Sequence, residues 1–179
     1  SIADAPRPGV EDSISQMKSN GVRKVVMLTG DNLSAAKEVA RQVGIDEVYA
    51  NLLPEDKVKH VEALKEEGHR VIVVGDGIND APALATANVG ISMGIAGTDV
   101  TMETAGIVLM TDDLGKVGKT MMLSQKVLSV IRQNVVFSIV VNVVGLMLST
   151  QGLVSPILAS VFHESNALIV VFNSLRLLR

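Results

Sequence analysis

Apolar and polar positions change rhythm along this chain. Over the first 113 residues, four-residue apolar runs at 25–28, 71–74, 89–92 and 107–110 alternate with mixed stretches at 10–19, 33–43, 54–67 and 80–87. The runs read as short buried strands and the mixed stretches as helices, with Gly21, Gly44 and Gly68 near helix ends as stop signals. This alternation predicts an α/β unit, a Rossmann-like parallel sheet with helices on both faces.

Beyond that unit the pattern becomes nearly continuous. Residues 114–130 read as a basic stalk helix that runs on into 131–150, where 135–150 is broken only by Ser138, Asn142 and Ser149. A second apolar run covers 156–175, and the uncharged residues 151–155 separate the two. Each run is 20 residues long, and such a helix reaches about 30 Å, the thickness of a bilayer core. Neither carries the charged face of a surface helix, which argues against two core helices of a soluble domain. The runs predict a two-helix transmembrane hairpin. Lys116, Lys119, Lys126 and Arg132 lie on its leading side and Arg176 and Arg179 follow it, so both outer ends are expected in the cytoplasm.

Charge divides along the same line. The chain holds 18 acidic and 10 basic side chains through Asp113, then six basic ones and a single acid, Glu164. No basic stripe with interleaved aromatics exists, so nucleic acid is not an expected partner. Cysteine is absent, which excludes disulfides and thiolate metal ligands from this segment and fits a reducing compartment. The opening SIADAPRPG lacks the basic start and apolar core of a signal peptide. Membrane entry is therefore expected from the later spans, in a chain cut from a longer one.

Chemistry gathers at the ends of the apolar runs. Gly75 to Pro82 reads GDGINDAP directly after VIVV, delivering Asp76 and Asp80 to the carboxyl edge of the sheet, where they can hold a hard cation such as Mg²⁺. Thr29-Gly30-Asp31-Asn32 follows the first run: a hydroxyl and free amides can donate to phosphoryl oxygens, and a helix N-terminus that favours anions comes next. Pro54-Glu55-Asp56-Lys57 opens another helix, with Lys57 able to neutralise a phosphoryl oxygen. Taken singly, Thr29 and Asp56 also suit a cap or turn, and Lys57 a solvated lysine.

In sequence, TGDN, PEDK and GDGINDAP resemble the later motifs of the haloacid dehalogenase superfamily. The long form GDGINDAPALATANVGISMG resembles its cation-pumping branch, the P-type ATPases. The resemblance implies that residues 1–113 are the remainder of a phosphorylation domain, of incomplete haloacid dehalogenase fold. It implies that Thr29, Gly30 and Asp31 contact the transferred phosphoryl group, that Lys57 balances its charge, that Asp76 ligates Mg²⁺, and that Asn79 and Asp80 complete the network. Asp4 and Arg7, in DAPRPG, match the segment leading into this domain and stand as cofactor-binding candidates, with Pro6 and Gly9 varying its heavy-metal form. The family's nucleophile lies in an Asp-Lys-Thr-Gly-Thr segment, and this sequence has none. The expected partner is thus the N-terminal remainder of the pump: nucleotide-binding domain, actuator domain and earlier transmembrane helices. ATP is the expected substrate of that whole, and the chain alone is expected to be inactive. The location implied is a multi-pass place in the plasma membrane, soluble domain on the cytoplasmic side.

The transported ion is read from polar groups inside the spans, where an Asp, Lys or Arg costs about 2.5–3.5 kcal/mol. His163 and Glu164 stand out, offering an imidazole and a carboxylate suited to Zn²⁺ or Co²⁺. They also fit a place at the outer interface, solvated or bonded to Asn142. RQNVVFSIVVN and HESNALIVVFNSLRLL resemble the last two helices of heavy-metal, type IB pumps, the second resembling the His-Glu-Gly-Gly-Thr helix of the cobalt and zinc class, with Ser165, Asn166 and Ala167 in place of its last three residues. A divalent heavy-metal ion, Zn, Co or Cd, is implied. Copper(I) is disfavoured because the nearby thioethers are Met147 and the stalk methionines. Two rivals remain: a haloacid dehalogenase phosphatase, which would carry its own nucleophile and no spans, and a non-catalytic membrane-anchored subunit of a split pump, which would share everything seen here.

Overall fold

A computed structural model describes residues 6–75, 78–93, 105–153 and 155–178. The chain forms two compact units, Ser1–Met121 and Met122–Arg179. In the first, the order is α1 (Val10–Ser19), β1 (Val26–Leu28), α2 (Leu33–Val43), β2 (Glu47–Tyr49), α3 (Pro54–Glu66), β3 (Ile72–Gly75), a 3₁₀ turn (Ile78–Asp80), α4 (Ala81–Thr86), β4 (Val89–Met93) and β5 (Ile107–Leu109). Local chemistry explains the boundaries. Asn32 caps α2 by accepting from the Ala35 amide at 2.9 Å, and Gly44 ends it at φ 77°, a backbone position that disfavours side chains. Pro54 starts α3, where its missing N–H leaves nothing unsatisfied. The helix expected at 80–87 begins one residue later, behind the 3₁₀ turn, with Pro82 in its first turn.

All strand pairs are parallel, as the sequence pattern implies, but the ladder comes in two pieces. β1 pairs with β2, and β3 with β4, which pairs with β5. β2 is not expected from the sequence, since Glu-Val-Tyr is too short and too polar to stand out. It is held in place by Asp46, whose amide donates to the Val25 carbonyl at 2.9 Å and whose carboxylate accepts from the Val25 amide at 2.7 Å and Lys18 Nζ at 2.6 Å. The Lys18 ammonium first, and the Val25 amide second, hold the Asp46 carboxyl below the usual carboxylate range.

The helices lie on opposite faces. Ile14 and Met17 of α1 and Val43 of α2 share a buried cluster with Ile91, Met93, Leu109 and Val117. On the other face a Cβ on Gly90 would meet the Leu84 carbonyl oxygen at 2.6 Å, so α4 lies almost on the strand, and α3 packs against α4. β1–α2–β2 and β2–α3–β3 thus cross over on opposite faces. Parallel crossovers are right-handed as a rule, so helices on opposite faces imply that the winding of the sheet reverses at β2 and that β3 belongs on the β1 side of it. β1 and β3 share no ladder pairing among the described residues. A reversal of strand order is where open α/β sheets bind ligands.

The helix α5 (Gly115–Thr150) is unbroken over 36 residues, so the stretch read as a stalk and the first apolar run are continuous in it, and it is long and apolar enough to cross a membrane. It ends at Gly152, φ 72°, with the Leu153 amide on the Leu148 carbonyl and the Gly152 amide on Ser149, both at 3.0 Å. Ser155 then caps α6 (Pro156–Ser174), and a 3₁₀ turn (Leu175–Leu178) follows. Within this second unit two hydrogen bonds join the helices. Asn173 Nδ2 donates to Asn134 Oδ1 at 2.7 Å, and Asn134 Nδ2 donates to Ser174 Oγ at 3.0 Å.

Candidate functional site

Thr29 sits where β1 ends, and its loop is tied to the one after β2. Its amide donates to the Tyr49 carbonyl and the Leu52 amide donates to its carbonyl, both at 3.0 Å, while the Asn51 amide donates to Asp31 at 2.8 Å. The Thr29 hydroxyl donates to Asp31 Oδ2 at 2.9 Å and accepts from the Asp31 amide at 3.1 Å. Gly30 is exposed, and a Cβ there would touch the Leu52 carbonyl at 3.4 Å. Thr29, Gly30 and Asp31 thus form one small loop, fastened to the segment that leads into α3.

The first turn of α3 carries Lys57. Its Nζ donates to Asp80 Oδ1 at 2.7 Å, and the two side chains are only 17% and 20% exposed. Two motifs 23 residues apart therefore meet in one charge-assisted bond. Asp80 reaches it by folding back over the end of β3. A Cβ on Gly75 would stand 2.8 Å from the Asp80 Cβ and 3.0 Å from Oδ2, so the glycine is required by close approach. Asn79 is exposed beside it. Asp76 and Asp4 lie outside the described residues.

A cavity of about 620 Å³ opens on Gly75 and Asp80, with Arg7, Ser13, Asp112 and Asp113 on its other walls. Arg7 is ion-paired with Asp112. Arg7 thus shares a cavity with Asp80 although the two are far apart in sequence. Asp112 and Asp113 escape sequence reasoning, because nothing in a bare Asp-Asp after a strand distinguishes it from a turn. Among the described residues no three His, Cys, Asp or Glu side chains gather as a metal cage. Mg²⁺ is held by one or two carboxylates together with phosphate oxygens and water. One Asp80 oxygen is taken by Lys57, and the cavity reaches the same side chain, so the donors present fit such an ion.

The haloacid dehalogenase-like hydrolase family matches residues 1–88. The whole chain is 48% identical to a zinc-exporting P-type ATPase of Mycobacterium marinum, covering 24% of it, and 48% identical to a manganese-exporting P-type ATPase of Mycobacterium leprae, covering 25%. A crystal structure of a zinc-transporting PIB-type ATPase in the E2.Pi state superposes on 98% of the chain with a TM-score of 0.91 at 38% identity, the match covering 28% of that chain. The chain is homologous to one segment of these P-type ATPases. It spans about a quarter of the length of the curated relatives it matches. That homology accounts for a haloacid dehalogenase-like unit and a long apolar helix in one chain. Manganese is not among the ions read from the sequence.

In the second unit, Glu164 and Asn142 are exposed, and nothing described joins them. The His163 side chain lies outside the described residues. Asn166, which the sequence shows only as one of three departures from the family pattern, is 7% exposed.

Proposed function

We propose that this chain is the C-terminal part of an ATP-driven, multi-pass plasma-membrane pump that exports a divalent metal ion, zinc or manganese foremost, through an aspartyl-phosphate. The Lys57–Asp80 bond supports this reading, because it joins a cation and a carboxylate from the motifs at two strand ends, the edge at which open α/β sheets bind phosphate ligands. The relatives' exported ions support the choice of cargo.

The phosphoryl-accepting aspartate comes from the remainder of the pump, its strand lying between β1 and β3, which share no pairing among the described residues. Thr29 and the Gly30 amide donate to phosphoryl oxygens, while Lys57, held by Asp80, offsets the charge that spreads over them in transfer. Asp76 and Asp80 would hold Mg²⁺, which when bound adds positive charge at the phosphoryl oxygens. Arg7, across the cavity from Asp80, and Asp4 bind the nucleotide side of the site. α5 and α6 form a transmembrane hairpin whose outer ends are cytoplasmic, and α5 transmits the state of the site to the bilayer. His163 and Glu164 are ion ligands in this reading.

The test is phosphoenzyme formation from ATP by the full-length pump. Asp76→Asn is expected to suppress it while leaving metal affinity within a few-fold of wild type. Normal phosphoenzyme levels in Asp76→Asn refute the reading. The 179-residue chain alone is expected to show no ATP turnover, and hydrolysis abolished by Asp76→Ala would contradict that.

A further inference from the structure

Ser92 of β4 is 0% exposed, and its Oγ makes no hydrogen bond among the described residues. No water reaches a group so enclosed, and a hydroxyl left unbonded there costs stability that an alanine would not. The strand fixes the direction of the side chain. Ile91 and Met93 belong to the cluster with α1 and α2, so Ser92, which alternates with them, faces α4. Gly90, two residues earlier on that face, is where a Cβ would run into the Leu84 carbonyl of α4. Ser92 is also matched in register to Gly75 in the parallel β3–β4 ladder, so the two positions face the same way one strand spacing apart, about 4.8 Å.

Asp80 stands over that glycine. Its Oδ1 is bonded to Lys57, and its Oδ2 lies 3.0 Å from where a Gly75 Cβ would be. The other side chains on this face offer no free acceptor. Residues 81–85 of α4 are apolar, Thr86 donates its hydroxyl to the Pro82 carbonyl at 2.8 Å, and Val108, matched in register to Ser92 on β5, is apolar too. Asn79 is exposed. Among the described residues of α4 and β3 to β5 and the turn between β3 and α4, that leaves the Asp80 carboxylate as the side-chain acceptor beside Ser92.

We propose that Ser92 is a positioning residue for Asp80, its hydroxyl donating to the Asp80 carboxylate when Lys57 turns from it to the phosphoryl group. The inference rests on the pump reading above and adds to it a residue outside TGDN, PEDK and GDGINDAP. In the structure Lys57 holds Asp80. Phosphoryl oxygens compete for the same ammonium during transfer, and Asp80 without it is a largely buried carboxylate short of a donor. Ser92 supplies that donor, and a hydrogen bond to an ionised acceptor is stronger than one between neutral groups. The unbonded hydroxyl of the resting protein is then one half of a bond made during transfer.

The experiment compares melting temperatures of the purified full-length pump, without Mg²⁺ or nucleotide, in wild type, Ser92→Ala, Lys57→Met and the double variant. It then measures the rate of phosphoenzyme formation from ATP in Ser92→Ala. Ser92→Ala alone is expected to leave the melting temperature unchanged or to raise it, because the hydroxyl has no bond to lose there. In the Lys57→Met background, where Asp80 has lost its cation, the same substitution is expected to lower it, a coupling that a merely space-filling serine would not show. Phosphoenzyme formation should slow about tenfold in Ser92→Ala, the loss of one hydrogen bond to a charged group. A lower melting temperature in Ser92→Ala alone overturns the proposal, since it marks a hydroxyl already bonded. So do independent effects in the double variant, and so does a wild-type rate of phosphoenzyme formation. If the unmutated pump forms no phosphoenzyme, it is the pump reading that has failed, and the melting comparison still decides whether Ser92 and Asp80 bond.

Discussion

Replacing Gly75 with alanine tests whether the end of β3 is built for Asp80. The added Cβ would stand 2.8 Å from the Asp80 Cβ and 3.2 Å from its Cγ. Carbon atoms rest at about 3.5–4.0 Å, so Asp80 must retreat by roughly 1 Å. Its bond to Lys57 is 2.7 Å long, and a retreat of that size along the bond stretches it beyond hydrogen-bond range. Overpacking of this kind costs about 1–3 kcal/mol of stability. A displacement of about 1 Å among catalytic groups costs about 10²-fold in rate, or about 2.7 kcal/mol of barrier. The assay is the initial rate of phosphoenzyme formation from ATP in the full-length pump. Gly68→Ala is the control: that glycine has φ 84° at the end of α3, and a Cβ added there would meet no atom within 4 Å, so the variant should lose about 1 kcal/mol of stability and keep its rate. A Gly75→Ala pump that phosphorylates at the Gly68→Ala rate refutes the argument that this glycine exists to seat Asp80.

Three further outcomes are expected. Lys57→Met removes a charge-assisted bond worth about 1.5–3 kcal/mol and should lower phosphoenzyme formation more than Lys59→Met, whose partner Asp56 is an exposed surface pair; equal effects would deny Lys57 a role at the phosphoryl group. Asp46 has its carboxyl held low by Lys18 and the Val25 amide, so its stabilising effect is complete above the ordinary carboxylate pKa, about 3.9, and fades as pH falls through the depressed value. The melting-temperature gap between wild type and Asp46→Asn, measured in detergent, should be constant above about pH 5 and close below about pH 4. Asn32→Ala removes the α2 cap and should cost about 1 kcal/mol in a denaturant titration, while an unchanged midpoint would show that the Ala35 amide finds another acceptor.

How much of this is legible in the sequence depends on whether the interaction is local. The strands at 71–74 and 89–92 and the helices around them announce themselves through neighbours within a few residues, and all but β2 can be read directly. β2 cannot, because its stability lies in Asp46, a single polar residue bonded to Lys18 and Val25 more than 20 residues away. The two-piece ladder is hidden for a similar reason: hydropathy shows that a strand is buried but not which strand lies beside it. At the site, TGDN, PEDK and GDGIND are visible as three motifs. The direct bond from Lys57 to Asp80 is not, nor is the cavity that puts Arg7 and Asp112 across from Asp80.

The membrane half shows the limit most clearly. A sequence ranks intramembrane residues by what they cost to bury, and on that scale Glu164 outweighs Asn166 because a carboxylate is charged and an amide is not. Rotation about the helix axis is a different quantity, which no single-residue scale contains. Here it leaves Asn166 buried and Glu164 exposed. In the pump proposed above, an ionisable side chain facing outward from the hairpin must be covered by something polar to stay in a bilayer, so the exposed Glu164 face calls for a further span against it. Asn166 needs no such cover. The two residues therefore answer to different neighbours, and the effects of substitutions at them on the melting temperature of the detergent-purified pump should be additive, a coupling between them in a double variant being the result that refutes this.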